Sequence, residues 1–293
     1  MSDDKRSGRT DSESRRAGSR RGRALIRLAN LLTLAGLMTT AVFLITTGPG
    51  ADGSAARAAA VPDWAAPMAA YYLGVASADQ LQLSTWQSVD TATGRRVTSE
   101  VPGEGLVQFD PATHEVNEVI WSTRLGAPTG QLMDQLDAVR TAQSYAAAHY
   151  VRFEDMVMRP VEAINHGAFA EYRMVWQARS GDAWLPSQVA IGVNARTGEL
   201  AYYFSERVKS EIDTTPLVTA DQAIGAAQEA AGLGPAATAS VPELTVVVER
   251  AQQTLQWVVA VRAPEQAAPH IVSAPIVWVD ARTGAARIAA VAS

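Results

Sequence analysis

The 293-residue chain contains no cysteine and only four histidines. The first absence excludes disulfide staples, thiolate metal sites, cysteine nucleophiles and a lipid anchor on an N-terminal cysteine. The second leaves little for zinc. His114, His149, His166 and His270 are not at ligand spacing from one another, and no H-E-x-x-H stretch occurs. No G-x-S-x-G elbow and no phosphate-cradling glycine loop ending in Lys-Ser or Lys-Thr is found. His149 is expected at a helix end, where imidazole meets the carbonyl dipole, and His114 in a hairpin turn. Glu154, Asp155 and Glu243 read as solvated loop charges. The residues therefore nominate no catalytic, cofactor-binding or metal-ligating position, and no cofactor.

Positive charge is scarce outside one end. Residues 1–47 carry nine Lys and Arg against four acids, whereas residues 48–293 carry sixteen against twenty-six. An acidic body is a poor match for nucleic acid, which selects clustered positive charge. The arginines at 15, 16, 20, 21, 23 and 27 precede an uncharged run, LANLLTLAGLMTTAVFLITT at 28–47. Twenty residues rising ~1.5 Å each match a ~30 Å hydrocarbon core. The spacing predicts a basic cytoplasmic tail at 1–27, a single-pass transmembrane anchor at 28–47 and a linker at 48–60, with the C-terminal body extracytoplasmic. The competing reading is a signal peptide cleaved after Ala60, in the Ala58-Ala59-Ala60 stretch, which would release a secreted protein.

Hydrophobic residues make up 47% of the chain, enough to bury a core. One pattern recurs in the body. Phe109-Asp110-Pro111-Ala112-Thr113-His114-Glu115-Val116, Val193-Asn194-Ala195-Arg196-Thr197-Gly198-Glu199-Leu200 and Val279-Asp280-Ala281-Arg282-Thr283-Gly284-Ala285-Ala286 each read as strand, turn, strand. They are 84 and 86 residues apart. Asp or Asn at the first turn position bonds to backbone amides downstream, and Gly at the fifth accepts a positive φ. His114 replaces that Gly in the first copy.

Helices are predicted in step with the turns. Leu132, Leu136, Val139, Ala142, Ala146 and Tyr150 share one face over 131–150, with Thr129 as N-cap. Ala220, Ile224, Ala227 and Ala231 follow a capping box at Thr219 and Gln222, ended by Gly232 and Gly234. Residues 64–78 form a weaker third helix. Strands follow. Tyr172, Met174 and Trp176 alternate with Arg173, Val175 and Gln177; Leu255, Trp257, Val259 and Val261 alternate likewise, after Leu244–Val248. Trp176, Trp257 and Trp278 are expected in the sheet. Tyr202, Tyr203, Phe204, Trp121 and Trp184 are either core or an exposed apolar patch for a partner.

The last two copies resemble PepSY domains, small α+β modules. The matching residues are Trp257-Val258-Val259-Ala260-Val261 with Val277-Trp278-Val279-Asp280-Ala281-Arg282-Thr283-Gly284, and Val175-Trp176-Gln177-Ala178 with Ile191-Gly192-Val193-Asn194-Ala195-Arg196-Thr197-Gly198. The resemblance covers roughly residues 130–291. It implies a non-catalytic module that inhibits, chaperones or modulates other proteins. The expected fold class is α+β, with tandem PepSY-like units at 61–124 (degenerate), 128–212 and 215–293, each one helix on its own small antiparallel sheet. The expected function is binding and regulation of another envelope protein, a protease, sensor kinase or wall enzyme, through edge-strand pairing. A receptor for a small ligand in a cleft between units is the alternative.

Overall fold

The computed structural model describes residues 61–84, 86–91, 94–125, 130–166, 169–249, 251–263 and 275–289, all within one compact unit. Three α-helices are found among the described residues: α1 (Ala65–Leu73), α2 (Gln135–His149) and α3 (Ala220–Ala230). The first strands are β1 (Gln87–Thr91), β2 (Gly94–Val101), β3 (Gly105–Asp110) and β4 (Glu115–Ile120). After α2 come β5 (Val157–Met158), β6 (Glu162–Asn165), β7 (Ala170–Ser180), β8 (Ala183–Asn194) and β9 (Leu200–Glu206). After α3 come β10 (Thr238–Ala239), β11 (Glu243–Glu249), β12 (Gln252–Arg262), β13 (Ile276–Asp280) and β14 (Ala286–Ile288).

The tandem small-sheet architecture is corrected. Among the described residues fourteen strands join in one sheet, ordered β1-β2-β3-β4-β9-β8-β11-β12-β13-β14, with β7 on the other side of β8, β5 and β6 outside β7, and β10 beside β12. β4 pairs with β9 through Glu118, Val119 and Ile120 against Phe204, Tyr203 and Tyr202. β8 meets β11 in parallel at Trp184 and Thr245. Small sheets standing alone would each leave unpaired edges, and here strands of neighbouring segments satisfy one another instead. A pattern of alternation shows which residues form a strand but not which distant strand completes its ladder.

A second correction concerns the membrane. Residues 1–27, 28–47 and 48–60 lie outside the described residues. Among the described residues no helix is long and apolar enough to cross a membrane. The expectation of a single-pass protein with a cytoplasmic N-terminus and extracytoplasmic body therefore finds no support among the described residues.

One face of the sheet packs beneath the helices. Val107, Phe109, Val119, Met174, Val189, Ile191, Val193 and Tyr203 are fully buried there under α1 and α2. Helix α2 starts later than expected, with Asp134 as N-cap accepting from the Leu136 N–H at 2.7 Å; Thr129 lies outside the described residues. Leu132 therefore precedes the helix, and Leu136 points outward, 64% exposed. The buried stripe is Ala138, Ala142 and Ala146, whose small side chains sit at i, i+4 spacing toward the strands. Helix α3 has the expected capping box at Thr219 and Gln222, and Gly232 adopts φ +67 beyond it. Its Ala223 and Ala227 pack on Val259, Val261, Val277 and Val279.

The three turns share one geometry. The side chains of Asp110, Asn194 and Asp280 accept from backbone N–H groups two and three residues on, at 2.8–3.4 Å. The fifth residues, His114, Gly198 and Gly284, adopt φ of +60, +76 and +78. Each turn also holds the chain entering the preceding helix. His114 stacks on Trp64 with ring centroids 4.4 Å apart. Met133 N–H donates to the Ala195 carbonyl at 2.7 Å, and Leu217 and Val218 donate to that of Ala281 at 2.8 and 3.0 Å.

Candidate functional site

Alternation divides β7, β8 and β9 between the core and the opposite, polar face. The register places Glu162, Arg173, Gly192, Tyr202 and Ile120 in one row across that face. The next row holds Val175, Ala190, Phe204 and Glu118. Burial holds the Glu118 carboxyl above the usual carboxylate range, at about 7.

At the β6 end of this face lies an ion network. Glu171 is 1% exposed. It accepts from His166 Nε2 at 2.7 Å and from Arg173 Nε at 3.3 Å. Arg173 Nη1 lies 3.8 Å from the Glu162 carboxylate, which is 46% exposed. The guanidinium sits 5.8 Å from the centre of the Tyr202 ring, and burial raises the pKa of that tyrosine. Gly192 makes room for the arrangement. A Cβ there would lie 2.3 Å from the Tyr202 ring and 2.9 Å from Glu171 Oε1.

β5 and β6 form a sheet edge, and among the described residues each pairs only with β7. Arg159 N–H turns inward to the Val175 carbonyl at 2.8 Å, and Pro160 interrupts the run between the two strands. Val157 and Met158 are 41% and 45% exposed. On the helix side of this edge a shallow cavity of about 290 Å³ is lined by Phe153, Met156, Trp176, Ala147, Gln143 and Glu154. A second cavity, also about 290 Å³, lies below the third turn between Ile212, Leu255 and Asp280. Asp213 on its wall accepts from Thr215 N–H at 2.9 Å and pairs with Arg282 at 3.0 Å. These contacts, the Thr215 amide foremost, hold its carboxyl down at about 2.

The residues singled out in the sequence are dispersed. His114 sits in its turn. His149 closes α2, with Nδ1 2.8 Å from the Tyr145 carbonyl and its ring stacked on Tyr145. His166 joins the ion network, and His270 lies outside the described residues. Glu243 is no solvated loop charge, since it pairs with Arg159 at 2.6 Å. Asp155 pairs with Arg152. Trp121 and Tyr203 are buried on the helix face, Tyr202 and Phe204 lie on the polar face, and Trp184 is flanked by Arg159 and Arg179 at 4.4 and 5.2 Å. They form no common apolar patch. Among the described residues no group of three His, Asp or Glu is placed to hold a metal ion. Sequence reading missed the Glu171–Arg173–His166 network. The available signal was charge at alternate positions of a strand whose other face is wholly apolar.

No family model matches the sequence, and no curated protein matches it. Among solved structures the chain is similar to the Bacillus megaterium YpeB C-terminal domain, with 15% identity over 78% of this chain and 97% of that one, at a TM-score of 0.41.

Proposed function

We propose that this protein is a non-catalytic binding module that takes an extended segment of another protein onto the β5–β6 edge and regulates that partner. The observation that carries the reading is an edge whose outer backbone groups face away from the sheet, beside a shallow cavity with both apolar and polar walls. Backbone pairing supplies affinity in such a mode, and alternate side chains supply specificity. The resemblance of the helix, Trp strand and turn to PepSY modules supports a binding role over a catalytic one. Pro160 and the charge on Glu162 are features that blunt an edge against indiscriminate pairing. They favour a particular partner over self-association. The cavity below the third turn offers less to a small ligand, because its Asp213 and Arg282 already neutralise each other.

The test is a photo-crosslinking amino acid placed at Ala163 in β6, with a control at Leu217, which is 71% exposed and bonded to Ala281 at the end of β13, strands away from the edge. One recurring protein adduct at 163 and none at 217 is expected in the host cell. Equal adducts at both positions, or none at 163, would refute the assignment.

A further inference from the structure

We infer that the β5–β6 edge selects a segment carrying one apolar and one cationic side chain three positions apart, pointing to opposite faces. This rests on the strand-pairing reading above and adds the chemistry of the partner. Met158 pairs with Trp176, and Glu162 pairs with Arg173. The edge thus uses four residue steps where β7 uses three, and the extra residue is taken up around Pro160. A regular strand laid along the edge follows the spacing of β7, at ~3.3 Å per residue. Its residues beside Met158 and Glu162 are then three apart. Because successive side chains alternate, they face opposite sides.

The two positions differ in chemistry. The residue beside Met158 faces the helix side and the cavity of Phe153, Met156 and Trp176, which an unbranched or γ-branched apolar side chain suits. The residue beside Glu162 faces a half-exposed carboxylate that the Arg173 guanidinium approaches to 3.8 Å, beyond hydrogen-bond distance. The acidic balance of residues 48–293 disfavours a second copy as the occupant, since it would bring like charge to the same edge. A cationic partner segment fits.

The experiment measures fluorescence anisotropy of labelled octapeptides, threonine throughout except for one leucine and one lysine, titrated with the full chain. The peptide with the pair three positions apart should bind about fivefold more tightly than one with the pair two apart, and than one with glutamate for lysine. Glu162→Gln should erase the lysine–glutamate difference. If all three peptides bind equally, and backbone N-methylation abolishes that binding, the spacing rule is overturned while edge pairing stands. If none binds, edge pairing itself is overturned.

Discussion

Gly284→Ala tests the turn geometry with little else disturbed. The residue sits at φ +78, and a Cβ added there would find only Val218 Cγ2 at 3.8 Å, an ordinary contact. The cost is therefore the left-handed backbone alone, roughly 1–2 kcal/mol for an alanine. Gly198→Ala should cost the same, because the Met133 side chain stands 3.5 Å from the new Cβ and is flexible. The reverse change in the first turn should not return this energy. His114→Gly relieves a similar strain, but loses the stack on Trp64, worth about 0.5–1.5 kcal/mol, and loosens the unfolded chain. It should leave stability within about 1 kcal/mol of the parent. Urea unfolding followed by tryptophan fluorescence and circular dichroism gives the three values, and thermal melts should fall by about 2–6 °C for each glycine variant. A neutral Gly284→Ala would refute the strain argument. A His114→Gly protein stabilised by the full ~1–2 kcal/mol would refute the contribution of the Trp64 stack.

Three other outcomes follow from the geometry. Glu171→Ala removes a carboxylate that is 1% exposed and bonded to His166 and Arg173, so denaturant unfolding should show a loss of about 3 kcal/mol, partly restored by adding Arg173→Met. Gly105→Ala should be worse than Gly192→Ala in the same assay. Its Cβ would meet the Ile120 carbonyl oxygen, a backbone atom, at 1.9 Å, whereas at 192 the obstacle is mainly the Tyr202 side chain. Glu118 has its carboxyl raised from the usual 4.5 to about 7 by burial, so the folded state favours the neutral form. That contribution is intact below pH 4.5 and lost as pH rises through 7. Glu118→Gln should gain on the parent across that window, by no more than about 3 kcal/mol, in unfolding curves taken from pH 4 to pH 8.

The local grammar of the chain was legible and its long-range pairing was not. The Asp110, Asn194 and Asp280 turns are written in residues within five positions, so composition alone indicates their bonds and their positive φ. The Thr219–Gln222 box is equally local. On α2 the expected face holds for Val139, Ala142, Ala146 and Tyr150 but not for Leu132 and Leu136, which outweigh alanine in any apolar count. Closeness to a sheet instead rewards small residues, and Ala138, Ala142 and Ala146 line the contact. The joining of β4 to β9 and of β8 to β11 depends on strands more than 50 residues apart, Trp184 and Thr245 for example, that no periodicity links. The ion network was hidden for a related reason. His166 and Glu171 are five residues apart, but what unites them is the strand pairing that brings β6 back onto β7.

Among the described residues the meeting of β8 and β11 is the one parallel junction in an otherwise antiparallel sheet, and its register holds a single residue pair. Every ladder on either side of it is longer. Pulling on the two ends of the body would find its weakest backbone ladder here, so this junction acts as the seam along which the sheet tears. β11 to β14 with α3 would then separate as one block, against the Arg159–Glu243 ion pair and the packing of Ala183 and Leu185 on Leu244, Val246 and Leu255 across the seam. Amide protons on the two sides of the seam should exchange with solvent as two cooperative groups, each with its own opening free energy. A partner of the kind proposed, drawn onto β5 and β6, would grip the first group directly and reach the second through the Arg159–Glu243 pair.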